Sequence, residues 1–267
     1  MITLFKYEFM RNALIAGVLV SFICGIMGVY VITKRIVFIS GGIAHSSFGG
    51  IGLGYLLGIN PVLGALFFSL FSALSIGIIK RKTKLYEDTA IGIIWAMGMS
   101  LGIIFVGLSR GFTPDLFGFL FGNILSVNLS DIASIISLST GVLLIIMLFF
   151  KELLIISFDE EFGEVIGVPV DYLYFLFLCL VAITVIVLMK VVGIILVIAL
   201  LTIPAATSSL LTKNIKKMML ASILINILSV VLGLPLSYLL DAPCGATIVL
   251  LSGAIFLLVF LFKSYVL

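Results

Sequence analysis

Apolar runs of about twenty residues, separated by short polar breaks, recur along most of the chain. A helix needs a run of about that length to cross a hydrocarbon core about 30 Å thick, and in lipid only a helix satisfies its backbone within one run. The pattern predicts spans near Phe9–Thr33, Val37–Leu57, Pro61–Lys80, Asp88–Ser109 and Asp131–Phe150, then, after a polar interval, Tyr172–Met189, Gly193–Leu211, Lys217–Leu239 and Ala246–Phe262. Thr113–Ser126 is apolar but short, bounded by Pro114 and Asn123, and is expected to form a re-entrant or interfacial helix. The fold class is therefore all-α: a polytopic helical membrane protein of about nine spans.

Composition agrees with the pattern. Hydrophobic residues make up 63% and charged residues 10%, against roughly 45–50% apolar content in soluble domains, and the mean hydropathy is +1.43. A net charge of +3, spread along the chain, argues against nucleic acid as a partner. Cys24, Cys179 and Cys244 lack metal-ligand or redox spacing. Lys6 and Arg11 flank an apolar segment that continues to Thr33 without a small-residue cleavage site, so a retained first span is expected rather than a signal peptide. No linker or convincing repeat divides residues 1–267, which are expected to form one domain.

Basic residues orient the spans. With the N-terminus outside and the C-terminus in the cytoplasm, the inner segments receive Lys34, Arg35, Lys80, Arg81, Lys82, Lys84, Lys151, Lys213, Lys216, Lys217 and Lys263, which is 11 of the 15 Lys and Arg residues. The opposite orientation would export the Lys80–Lys84 cluster.

Within this apolar background His45, the one histidine, falls in a run with seven glycines, SGGIAHSSFGGIGLGYLLG (residues 40–58). An ionisable group inside a membrane normally faces a bundle interior or an aqueous cavity. His45 either lines such a path or is a buried ring hydrogen-bonded to a carbonyl or to a hydroxyl such as Ser46 or Ser47. The longest charged interval is residues 151–171, and within it SFDEEFGEVIGVP carries helix signals: Asp159 with Glu160 and Glu161 in a first turn, then Gly167 before Pro169. It is expected to be a short cytoplasmic surface helix or a solvated loop. The chain has no G-x-x-x-x-G-K-[ST] loop and no H-E-x-x-H motif, so neither ATP hydrolysis nor zinc-dependent hydrolysis is expected of it.

Three stretches together resemble the membrane permeases of zinc and manganese ABC importers. The histidine run resembles GDALSHAxLPGVALGYLLG, matching at His45, Gly50 and Gly54–Gly58; the motif's aspartate falls on Gly41. The charged interval resembles the coupling segment FDPExAxxxGLP, matching at Phe158, Asp159, Glu161, Gly167 and Pro169, with Glu160 in place of the proline. The final third, KVVGIILVIALLTIPAATSSLLT and GLPLSYLLDAPCGATIVLLSG, resembles QxVGVLLVVALLxIPAATA and GLxLSYxLDxPxGATIVL.

The resemblance implies a type II ABC importer fold and a pathway subunit, not an enzyme, for a divalent metal ion. A second copy of the chain, a cytoplasmic ATPase pair that binds ATP and an extracellular metal-binding protein would complete it in the cell membrane. No cofactor would be stably bound. His45 would touch the metal in transit, Phe158, Asp159, Glu161, Gly167 and Pro169 would couple to the ATPase, and Asp241 would help receive a cation at the outer mouth. A lone imidazole without the carboxylate favours zinc over manganese. A permease for a siderophore or haem chelate, or a gradient-driven transporter, are the alternatives.

Overall fold

The structure, a computed structural model, describes residues 7–109, 118 and 122–266. The helices are α1 (Glu8–Thr33), α2 (Phe38–Ser46), α3 (Phe48–Leu57), α4 (Pro61–Lys82), α5 (Glu87–Leu108), α6 (Leu129–Leu148), α7 (Phe150–Phe158), α8 (Glu160–Val165), α9 (Val170–Val192), α10 (Ile194–Leu211), α11 (Ile215–Leu239) and α12 (Cys244–Val266). Eight of them, α1, α4, α5, α6 and α9 to α12, are long and apolar enough to cross a membrane.

The expected span Val37–Leu57 differs: it is two helices, α2 and α3, of 9 and 10 residues that meet at Ser47. The hydroxyls of Ser46 and Ser47 donate back to the carbonyls of Ile43 and Ala44, at 3.0 and 2.6 Å. Such back-bonding competes with the helical ladder, and Ser47 itself keeps right-handed helical angles, φ −61 and ψ −16. Of the expected re-entrant segment Thr113–Ser126, the end forms a 3-10 turn at Ile124–Ser126, and most of the remainder lies outside the described residues.

The described residues pack as two compact units. The first holds α1, the 3-10 turn, the start of α6 and α10 to α12. Here α1 approaches its neighbours through glycine: a Cβ on Gly28 would collide with the Leu201 carbonyl of α10, and one on Gly25 with the Ile223 backbone of α11. Asn226, buried on α11, donates through Nδ2 to the Leu200 carbonyl at 3.1 Å. Pro204 lies inside α10 and Pro235 inside α11.

The second unit holds α2 to α5, the rest of α6 and α7 to α9. Its centre is α3 clasped between α4 and α5. Gly50 of α3 and Gly64 of α4 face each other so closely that a Cβ on either would strike the other's carbonyl oxygen; a Cβ on Gly52 would strike the Gly102 carbonyl of α5, and one on Gly102 the Phe48 carbonyl. Small residues permit this backbone approach, which supplies the dispersion contact that holds helices together in lipid. The α3–α4 corner follows from local chemistry: Gly58 has φ +67 at the end of α3, and the Asn60 side chain caps Pro61–Lys82 by accepting from Val62 N.

A methyl group at Gly50 therefore has nowhere to go. Gly50→Ala is expected to cost at least the roughly 1–3 kcal/mol of ordinary overpacking and to lower the melting temperature in detergent. Gly92→Ala, where nothing lies within 4 Å of the added atom, should leave it unchanged.

Candidate functional site

His45 lies two residues before Ser47, on the α2 face that meets α5. Its half-buried imidazole lies flat against the Trp95 indole, with ring centroids 4.5 Å apart and planes within 5°. The neighbouring glycines make this contact possible: Gly42 abuts Ile91, and Gly98 abuts the Ser46 backbone. His45 Nδ1 is buried and has no hydrogen-bond partner among the described residues. Ser46 and Ser47 spend their hydroxyl protons on their own helix, and Ser47 Oγ also contacts Met189 Sδ at 3.7 Å. No group of three or more His, Cys, Asp or Glu side chains is placed to hold an ion among the described residues. Gly41, at the position of the motif's aspartate, is buried. One imidazole can contact a cation in passing; it cannot hold one as a closed structural site does.

The charged interval folds into a compact corner. Phe158 ends α7 with its side chain exposed, and Asp159 caps α8, accepting from Phe162 N at 2.9 Å. Gly167 takes φ +81 and lets the chain turn out of α8, with Val168 N donating to the Gly163 carbonyl at 2.9 Å. Pro169 immediately precedes α9, and its carbonyl accepts from Leu173 N at 3.1 Å. Glu161 is exposed.

Its neighbour Glu160, where the motif has proline, is the residue on which the corner is fastened. One carboxylate oxygen accepts from Lys34 Nζ at 2.8 Å, and the other lies 3.0 Å from Arg81 Nη2. Lys34 also donates to the Ile156 carbonyl of α7. Lys80 reaches Glu87 at 2.9 Å, and Arg81 Nε lies 2.9 Å from Asp171; the Arg81 contacts are ionic rather than aligned hydrogen bonds. Tyr174 of α9, fully buried, donates to Glu87 Oε1 at 2.6 Å. Around its ring stand Lys80, Arg81 and Lys34, at 4.5, 4.8 and 5.3 Å from the centroid, a cation–π arrangement. The turn after α1, the end of α4, the start of α5, α8 and the start of α9 are thus tied in one knot.

Burial alone would raise the Glu160 carboxyl, but the Lys34 hydrogen bond and the charges of Lys34, Lys80 and Arg81 outweigh it and hold it below the ordinary range. Burial draws the Lys34 ammonium below its usual value, with Glu160 partly restoring it. The sequence marked Glu160 only as a first-turn acid in place of a motif proline, and did not mark Trp95. The available signals were an acid at a motif proline and the single tryptophan, and neither names its partners.

In the first unit, Asp241 is exposed in the turn between α11 and α12, with φ +51. Cys244 contacts the Ser237 hydroxyl and belongs to no group of three or more metal-ligating side chains among the described residues.

Comparison with known proteins decides the family. The model of the ABC 3 transport family matches residues 6–263. The chain belongs to this family. It is a metal-type ABC permease, a transporter subunit whose ATPase is a separate chain. It is similar to the manganese transport system membrane protein MntC of Listeria monocytogenes, 36% identical over 259 residues, covering 97% of this chain and 92% of that one. The manganese import system permease protein ScaB of Streptococcus gordonii is 37% identical over 257 residues, covering 96% and 92%. Among solved structures, PsaBC from Streptococcus pneumoniae in complex with Fab superposes with a TM-score of 0.84 at 36% identity, covering 96% of this chain and 92% of that chain.

The knot has a consequence for pH. A carboxyl held below its ordinary value stabilises the fold fully above the ordinary value of 4.5 and ceases to do so as pH falls through its lowered one. Glu160→Gln should cost on the order of 2 kcal/mol at neutral pH, between an exposed and a fully buried ion pair. The difference in melting temperature from the wild type should shrink as pH drops below 4.5, and Glu161→Gln should show neither effect.

Proposed function

We propose that this chain is the membrane pathway of an ATP-driven importer of manganese ions. The observation that carries the reading is similarity over nearly the whole chain to permeases named for manganese, joined to a lone imidazole at the helix break. The zinc-first order expected from Gly41 gives way here: a single transient ligand sets selectivity weakly, and the relatives favour manganese. Capture with high affinity would belong to an extracellular binding protein, and two copies of the chain would enclose the path. No cofactor is bound stably, ATP is used on the partner subunits, and the whole chain works as one permease domain.

The orientation proposed is nine crossings with the N-terminus outside and the C-terminus inside. Lys34, Lys80 and Arg81 meet the coupling segment in one knot, which supports placing those ends together on the basic, cytoplasmic side. The α2–α3 pair then leaves that side and α4 returns to it.

The coupling segment presents apolar side chains away from the knot: Phe158, Phe162 and Val165 are 65%, 54% and 84% exposed. They would seat in a groove of the ATPase, with Asp159, Gly167 and Pro169 shaping the helix and Glu161 facing the partner. ATP binding and hydrolysis move the ATPase pair, and α8 follows. The Glu160 ion pairs pass that displacement to Lys34, four residues before α2, and so to the helix that carries His45. Asp241, exposed in its turn, would help receive the cation at the outer mouth.

The test is manganese uptake into vesicles holding the chain with its ATPase and binding protein. ATP-dependent uptake should fall at least tenfold in His45→Ala while the ATPase stays assembled; undiminished uptake would remove His45 from the path. Val165→Asp places a charge in the docking face and should abolish co-purification of the ATPase without lowering the melting temperature of the chain.

A further inference from the structure

We propose that Trp95 is the positioning residue of the permeation site: its indole face fixes the plane of the His45 imidazole so that a ring nitrogen meets the transported cation edge-on. The proposal rests on the reading of His45 as a transient metal contact.

A histidine that binds a metal almost always has its second ring nitrogen hydrogen-bonded to a carboxylate, a carbonyl or water, and that bond sets the ring's orientation. His45 lacks such an anchor among the described residues, because Nδ1 is buried without a partner and the adjacent serines donate elsewhere. What holds the ring is the indole, parallel within 5° at a centroid separation of 4.5 Å. A metal approaches imidazole in the ring plane, along a nitrogen lone pair. Stacking occupies one face, leaves the edge free and resists rotation about the Cβ–Cγ bond. A cation at the edge draws electron density from the imidazole, and the electron-rich indole face then attracts the ring more strongly.

The indole is itself held in place. Ile91, Trp95, Gly98 and Gly102 follow at spacings of four, three and four, which puts them on one face of α5. That face is pressed onto α2 and α3: Gly42 abuts Ile91, Gly98 abuts the Ser46 backbone and Gly102 abuts the Phe48 carbonyl. Trp95 Nε1 points along its own helix to Met99 Sδ at 3.1 Å, leaving its face to the imidazole. The Ile91 side chain against Gly42 at one end and backbone contact at Gly98 and Gly102 at the other leave the stack little room to slide.

The chain has one tryptophan, so fluorotryptophan incorporated into it gives a single-site fluorine signal in nanodiscs reconstituted with unlabelled ATPase. Manganese, being paramagnetic, should broaden that signal in the wild type and not in His45→Ala. Trp95→Leu should raise the KM for manganese uptake about tenfold, the lower end for losing a partner that orients a ligating histidine. ATPase assembly and the maximal rate should stay near wild type, and Trp95→Phe should recover most of the loss. If the leucine variant does not assemble, the phenylalanine variant carries the test, with a KM raised two- to threefold on the proposal and unchanged without it. An unchanged KM alongside broadening that requires His45 overturns the positioning role and leaves the cation path standing. Broadening and uptake that persist in His45→Ala overturn the path itself, and this proposal with it.

Discussion

Hydrocarbon offers a backbone no hydrogen bonds, so each segment inside it must satisfy its own amides, and a charge placed there needs a partner or water. In the second unit the charged side chains that form ion pairs gather at the helix ends, where Glu160, Glu87 and Asp171 meet Lys34, Lys80 and Arg81. Within the helices, the same constraint leaves glycine contacts and a few polar side chains as the means of association. The coupling corner and the histidine region are two answers to that one problem.

The knot is stiff because its members share partners. Glu160 takes two cations on separate oxygens, Glu87 takes an ammonium and a phenol, and the Tyr174 ring sits among three positive charges. No member can leave without exposing a charge or a buried hydroxyl to an unpartnered state, which costs more than an ordinary hydrogen bond is worth. The six-residue α8 is thereby tied to the helix ends it touches. Its acidic side is fastened through Glu160, and its apolar side, Phe162 and Val165, is exposed.

The histidine region follows the opposite logic. A pathway must release what it binds, and a closed shell of ligands in low dielectric would trap a divalent ion. A single imidazole beside a break in the helix, without a carboxylate at Gly41, suits brief contact. Order comes from packing: glycines bring α2 and α5 together, and the indole replaces the hydrogen bond that would otherwise aim the ring.

Much of this was legible in order along the chain. Apolar run lengths predicted the helical class and about nine spans, eight of which are long helices, and the Asp159 cap and the Gly167 turn were readable because capping and positive φ are local chemistry. The break at Ser47 was not, since two serine hydroxyls turning back on their own helix leave no mark on an apolar pattern. Glu160 read as a first-turn acid at a motif proline, and nothing in the local pattern drew attention to Trp95. By itself the sequence determined where the long helices run, where charge can lie and which family the motifs resemble, because helix length, hydropathy and turns depend on neighbours a few residues away; it did not mark α7, which lies in the charged interval. Only the tertiary structure decided that Lys34, Arg81 and Tyr174 converge on the coupling corner and that Trp95 covers His45. The His45–Trp95 contact joins residues 50 positions apart and the Lys34–Glu160 contact residues 126 apart, and such contacts depend on how closely pairs of helices approach, a property of neither helix alone.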